Sequence, residues 1–147
     1  MKNLKQKFLV VVFLVLANAG MSFSAQSQGA VLSIFTKYGT NKGVTMLEAS
    51  RVLMKEYKIK TFKSIIFDDG TRALPEIRKC IEIEKDGALS IKESTKDGLL
   101  TSGYYQLKSK NTNLKRYLIF KVGNNNKTTF IYVEGELSPD DLVELLK

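Results

Sequence analysis

Carboxylates are the side chains best equipped for chemistry in this chain of 147 residues, because it has no histidine and one cysteine. Without imidazole there is no histidine acid or base, no serine or cysteine nucleophile activated by one, and none of the usual zinc, copper or haem ligation. The lone Cys80 excludes thiolate clusters and any intramolecular disulfide. No serine has a lysine three residues on, and neither a phosphate-cradling glycine loop nor a dinucleotide fingerprint occurs. Two acidic groups remain: Asp68-Asp69 before Gly70, and Glu134, Glu136, Asp140 and Asp141. Converging carboxylates could hydrolyse a glycoside or hold calcium. Aspartates before a glycine also make turns, and acids at a helix start favour the helix dipole, so structure accounts for both groups more simply. The reading is therefore no catalytic residue, no metal and no cofactor.

A second kind of chemistry is recognition by aromatic and basic side chains. Alternate residues of a strand point to opposite faces. With a simple register, Tyr105, Leu107, Leu118, Phe120, Val122, Ile131 and Val133 share a core face. The opposite face then carries Tyr104, Tyr117, Ile119, Phe130 and Tyr132, with Lys108 and Lys121 at its margins. Such a face is either covered by a long helix or exposed as an aromatic patch rimmed by lysines. In the second case Tyr104, Tyr117, Tyr132, Lys108 and Lys121 form a partner-binding surface, and the lysines point to an acidic partner.

The elements that must position these residues follow from periodicity and turn chemistry. Strands are expected at Thr61 to Phe67, Leu100 to Lys108, Leu114 to Val122 and Thr128 to Glu134. The last three, joined by short polar connections, make an antiparallel meander. Helices are expected at Ala30 to Tyr38 and, after the box Thr45-Met46-Leu47-Glu48, from Met46 to about Tyr57. Another begins at Pro75 and follows Ile77, Cys80, Ile81, Glu84, Ala88 and Ile91 towards Thr95, unless Asp86-Gly87 is a turn between a helix and a strand. Ser138-Pro139-Asp140-Asp141 starts a terminal helix. The expected fold is α+β, a four-stranded, mainly antiparallel sheet with a three-stranded C-terminal meander, packed by helices. Helical neighbours place Cys80 in the core as an inert thiol.

Lys2, Lys5 and Lys7 precede the apolar run Phe8 to Ala17, and small and polar residues follow from Asn18 to Gln28. That order reads as a secretory leader, with an uncleaved amino-terminal anchor as the alternative, and the run is shorter than the about 20 apolar residues a membrane span needs. The triplets Ala17-Asn18-Ala19, Ser22-Phe23-Ser24 and Ala25-Gln26-Ser27 suit a signal peptidase. A cut near Ala25 divides the chain into a leader, 1–24, and one domain, 25–147. No cysteine follows the apolar run, so lipoprotein processing is excluded. The expected location is the periplasm or the cell exterior, with no membrane span after processing. The net charge of +8 includes the three leader lysines, and the remaining lysines are scattered. With export, this argues against nucleic acid as partner.

The leader, Thr45 to Tyr57, the segment Ser102-Gly103-Tyr104-Tyr105 and the run Phe130-Ile131-Tyr132-Val133-Glu134-Gly135-Glu136-Leu137 together resemble small exported proteins of Gram-negative envelopes classed as domains of unknown function. The resemblance covers most of the mature chain. It implies an envelope location and a soluble domain, and it brings no catalytic residues. The functional expectation is a non-enzymatic binding or interaction domain with an envelope partner. The alternatives are a hydrolase running on carboxylates alone and a structural subunit of an envelope assembly.

Overall fold

The structure, a computed structural model, describes residues 23–111 and 113–147. The charged and apolar regions of the expected leader lie outside the described residues. The elements in chain order are α1 (Phe23–Tyr38), β1 (Val44–Leu47), α2 (Arg51–Glu56), β2 (Ile59–Phe67), α3 (Leu74–Glu84), β3 (Ser90–Lys96), β4 (Leu99–Leu107), β5 (Lys115–Val122), β6 (Thr128–Gly135) and α4 (Pro139–Leu145). The strands form one antiparallel sheet in the order β1-β2-β6-β5-β4-β3.

Six strands replace the four expected, and the meander runs through four of them, β3 to β6, instead of three. The first extra strand lies where a helix was expected, and the second follows Asp86-Gly87, the turn between a helix and a strand that the sequence offers as the alternative to one long helix. Val44–Leu47 pairs with Ser64 to Phe67, so the backbone finds its partners across the sheet in place of a helical turn. The helix starts later, at Ser50, whose hydroxyl accepts from the Leu53 amide at 3.2 Å. Further on, α3 stops at Glu84 and Gly87 takes a left-handed φ of 73° that continues no helix. Ser90–Lys96 then pairs with β4 through a two-residue turn, Asp97-Gly98, with φ of 53° and 78°. This is the aspartate-glycine turn whose twist matches a β-hairpin.

One face of the sheet is covered by α1 and α3. Val31, Ile34 and Phe35 from α1, with Ile77, Cys80 and Ile81 from α3, pack on Ile65, Phe67, Tyr105, Leu118, Phe120, Phe130 and Tyr132. Each such large apolar side chain, fully buried, contributes about 1.5–3 kcal/mol. Phe35 stacks on Phe130 with ring centroids 5.6 Å apart. Gly103 is also built into this face. A Cβ there would overlap the Tyr105 ring, which lies across the glycine and donates its hydroxyl to Glu93 at 2.7 Å. A glycine inside a strand marks such a close approach.

The second face is covered at one end only. There α4 packs Leu142 on Ile59, Tyr117, Val133 and Leu137, joined by Met54 of α2 and Tyr57. Helix α4 begins with a reciprocal cap. The Asp141 amide donates to the Ser138 hydroxyl at 3.1 Å, and the Ser138 amide donates to the Asp141 carboxylate at 3.0 Å.

Candidate functional site

Antiparallel pairing sets residues side by side in rows, and two rows cross all six strands on the second face, beyond the end that α4 covers. One row is Leu47, Ser64, Ile131, Ile119, Tyr104 and Lys92. Its neighbour is Thr45, Ile66, Thr129, Lys121, Ser102 and Ser94. None of these residues is acidic. Isoleucines and a tyrosine hold the middle, hydroxyls surround them, and the two lysines stand on the β3–β4–β5 side. Leu47 is 48% exposed and Ser64 is buried, Lys92 and Lys121 are exposed, and Ile66, Tyr104, Ile119 and Ile131 are half-buried. A shallow depression of about 320 Å³ is lined by Lys92, Glu93, Ser102, Tyr104, Ile119 and Lys121, among others, and the Glu93 carboxylate is engaged by the Tyr105 hydroxyl and Lys85. Burial raises the Tyr104 phenol above its ordinary value. It therefore stays protonated and able to donate at neutral pH.

The structure does not bring the five residues expected at a partner surface onto one open face. Tyr104 and Lys121 are on this open face. Tyr117 is beside Tyr104, with ring centroids 6.3 Å apart, but it is fully buried and donates its hydroxyl to the Leu137 carbonyl at 2.9 Å. Burial, with Tyr104 and Asp141 near it, pushes the Tyr117 phenol up to about 12. Tyr132 pairs with Leu118, which puts it on the opposite, helix-covered face with no exposed surface. Lys108 lies at the far end of the β4–β5 ladder from Lys121, in a cleft of about 210 Å³ with Lys60, Lys110, Arg116 and Glu134.

The misplacement of Tyr132 is a one-residue register slip, which moves every side chain of a strand to the other face. Strand β6 is apolar on both faces, with Phe130 and Tyr132 on one and Ile131 and Val133 on the other. Alternation alone therefore could not choose. Ile131, expected in the core, belongs to the open face instead. Lys92 and Ser94 were not assigned to a face because their segment reads as a helix continuing from Pro75 or as a strand after Asp86-Gly87. The Asp97-Gly98 dipeptide was the available signal for a strand there.

On the covered face, Tyr132 belongs to a buried polar cluster. Arg116 donates to the Tyr132 hydroxyl at 3.0 Å, to the Lys108 carbonyl at 2.9 Å and to one Glu84 oxygen at 3.1 Å. The second Glu84 oxygen is buried without a hydrogen-bond partner among the described residues. Burial raises the Glu84 carboxyl above the usual range, and the Arg116 charge opposes that rise without cancelling it. Asp69 takes both the amide and the hydroxyl of Thr71, at 3.0 and 2.6 Å, and is held below its ordinary value by them. Asp141 caps α4, and Glu134 faces Arg116 across the β5–β6 ladder. Among the described residues no three histidine, cysteine or acidic side chains gather as a metal-binding group. No helix among them is long and apolar enough to cross a membrane.

A sequence model of a family of unknown function, DUF6108, matches residues 18–146. No curated protein and no solved structure matches the chain.

Proposed function

We propose, for a chain that belongs to the DUF6108 family of unknown function, the role of an exported envelope domain that binds an acidic partner and catalyses no reaction. The observation that carries the reading is the open pair of rows across the sheet, where isoleucines and Tyr104 are rimmed by Lys92 and Lys121 with no carboxylate among them. An antiparallel sheet with one face in water ordinarily alternates apolar and polar residues cleanly. Here the uncovered face keeps an apolar and aromatic centre with a basic edge, the composition of a recognition surface. The leader pattern supports export.

The test is affinity capture from a native envelope preparation with the mature protein, run beside Tyr104→Ser and a double charge reversal, Lys92→Glu with Lys121→Glu. Both lysines are exposed, so the reversal should leave thermal unfolding unchanged. The expected outcome is a protein partner that is lost with either variant and weakened by salt, since exposed charges are screened beyond about 10 Å at about 0.1 M. Equal recovery on wild type and variants would overturn the reading, as would retention of oligonucleotides in place of protein.

A further inference from the structure

Strand β3 is the outermost strand on its side of the sheet. One alternating set of its backbone N–H and C=O groups therefore has no strand partner, and such an edge is a template for another chain. Every residue from Ile91 to Lys96 is exposed. The opposite edge, β1, is only four residues long.

The two sides of β3 differ in chemistry. On the helix side, Ile91 is 45% exposed and Ile83 of α3 is 40% exposed. Together with Glu82, Lys85, Asp86 and Gly87 they line an open groove of about 520 Å³. On the other side Lys92 closes the row that contains Tyr104, with Lys121 in the adjoining row. The neighbouring Glu93 is already balanced, bonded to Lys85 at 3.0 Å and to the Tyr105 hydroxyl at 2.7 Å. Lys92 has no ion-pair partner among the described residues. The edge thus carries uncompensated positive charge on the open face and apolar surface on the helix face.

An added strand would send alternate side chains to these two sides. We propose that β3 takes up an extended acidic segment of a partner protein by strand addition, with carboxylates set against Lys92 on the open face and apolar side chains set against Ile91 and Ile83. The inference rests on the reading of the open face as a binding surface and names how the partner meets it. Main-chain hydrogen bonds supply affinity in this mode, and alternate side chains supply specificity. A second copy of the chain fits less well. Antiparallel pairing of two β3 edges centred on Lys92 or on Glu93 sets Lys92 against Lys92 or Glu93 against Glu93, and like charges directly opposite are destabilising.

The test uses the mature protein and a labelled peptide of about nine residues that alternates glutamate with valine, read by fluorescence anisotropy. Controls are the same peptide with lysine for glutamate, and two versions N-methylated at all the glutamate or all the valine amides. Methylation removes backbone donors and keeps the side-chain order. Expected is binding of the acidic peptide, weakened about tenfold or more by the lysine peptide, by one of the two methylated peptides, and by Lys92→Glu in the protein. If both methylated peptides bind as the parent does while Lys92→Glu still weakens binding, strand addition is overturned and the open-face reading stands. Indifference to Lys92→Glu and to peptide charge overturns both. Failure of the acidic peptide to bind, with charge-dependent capture from the envelope intact, overturns strand addition alone. Concentration-dependent dimerisation that competes with the peptide would overturn the proposal and assign the edge to a second copy.

Discussion

Replacing Arg116 with methionine isolates the energetics of the buried cluster under α3. The side chain is 10% exposed and its partner Glu84 is 1% exposed. Arg116 provides a hydrogen bond to the Tyr132 hydroxyl, one to the Lys108 carbonyl and an ion pair to Glu84. Each of the first two contributes about 1 kcal/mol net. Removing one partner of a buried ion pair costs about 3–5 kcal/mol, because the other charge stays behind without compensation. These terms overlap, so Arg116→Met should lose about 4 kcal/mol near pH 8, a large share of the about 5–15 kcal/mol available to a domain. Adding Glu84→Leu removes the stranded charge and should restore the protein to within about 2 kcal/mol of wild type.

The pH dependence has a definite sign. Burial holds the folded Glu84 carboxyl above its ordinary value. Between the ordinary and raised values the folded protein keeps a proton that the unfolded chain has released, so this group's contribution falls as pH rises through that window. Losing Arg116 removes the charge and the hydrogen bond that hold Glu84 down, and the window extends upward. The loss in Arg116→Met should therefore be smaller near pH 5 than near pH 8, and the double variant should lack that difference. Urea unfolding at both pH values, compared by midpoint and slope, measures all three proteins. A single variant within about 1 kcal/mol of wild type at both pH values, or a double variant no more stable than the single, would refute the account.

Cys80 is buried and its thiol is pushed up to about 12, chiefly by burial and also by Glu84. A thiol reagent near pH 8 should leave the folded protein unlabelled and react once it is unfolded in urea, whereas rapid labelling of the folded form would contradict its position. Tyr117→Phe deletes the donor to the Leu137 carbonyl and should cost about 1–2 kcal/mol in denaturant unfolding, with no loss if that carbonyl finds water instead. Gly103→Ala forces the Tyr105 ring off its glycine and breaks the bond to Glu93, for about 1–3 kcal/mol. An unchanged midpoint would show that the ring moves freely.

Where local chemistry suffices, the sequence determines the element. Ser138-Pro139-Asp140-Asp141 starts α4 because the cap, the proline and the acids act within one turn, and β-branched and aromatic runs mark β2, β5 and β6. Helical spacing from Ile77 to Ile81 likewise finds the buried face of α3 and places Cys80 in it. The absence of histidine restricts the chemistry without any structure. What tertiary structure alone decided is competition between local signals and distant partners. The Thr45 to Glu48 box is a sound helix start in isolation, yet pairing with Ser64 to Phe67 makes it a strand. Ala88 and Ile91 continue a helical spacing, yet Gly87 and Asp97-Gly98 bring Ser90–Lys96 onto β4 as an edge. The aromatic face was decided in the same way. Residues 130 to 133 are apolar on both sides, and only the pairing of Leu118 with Tyr132 and of Ile119 with Ile131 determines which side meets the helices and which meets water. Strand periodicity specifies that alternate residues separate, and the cross-strand register, a contact between distant parts of the chain, specifies where each set goes.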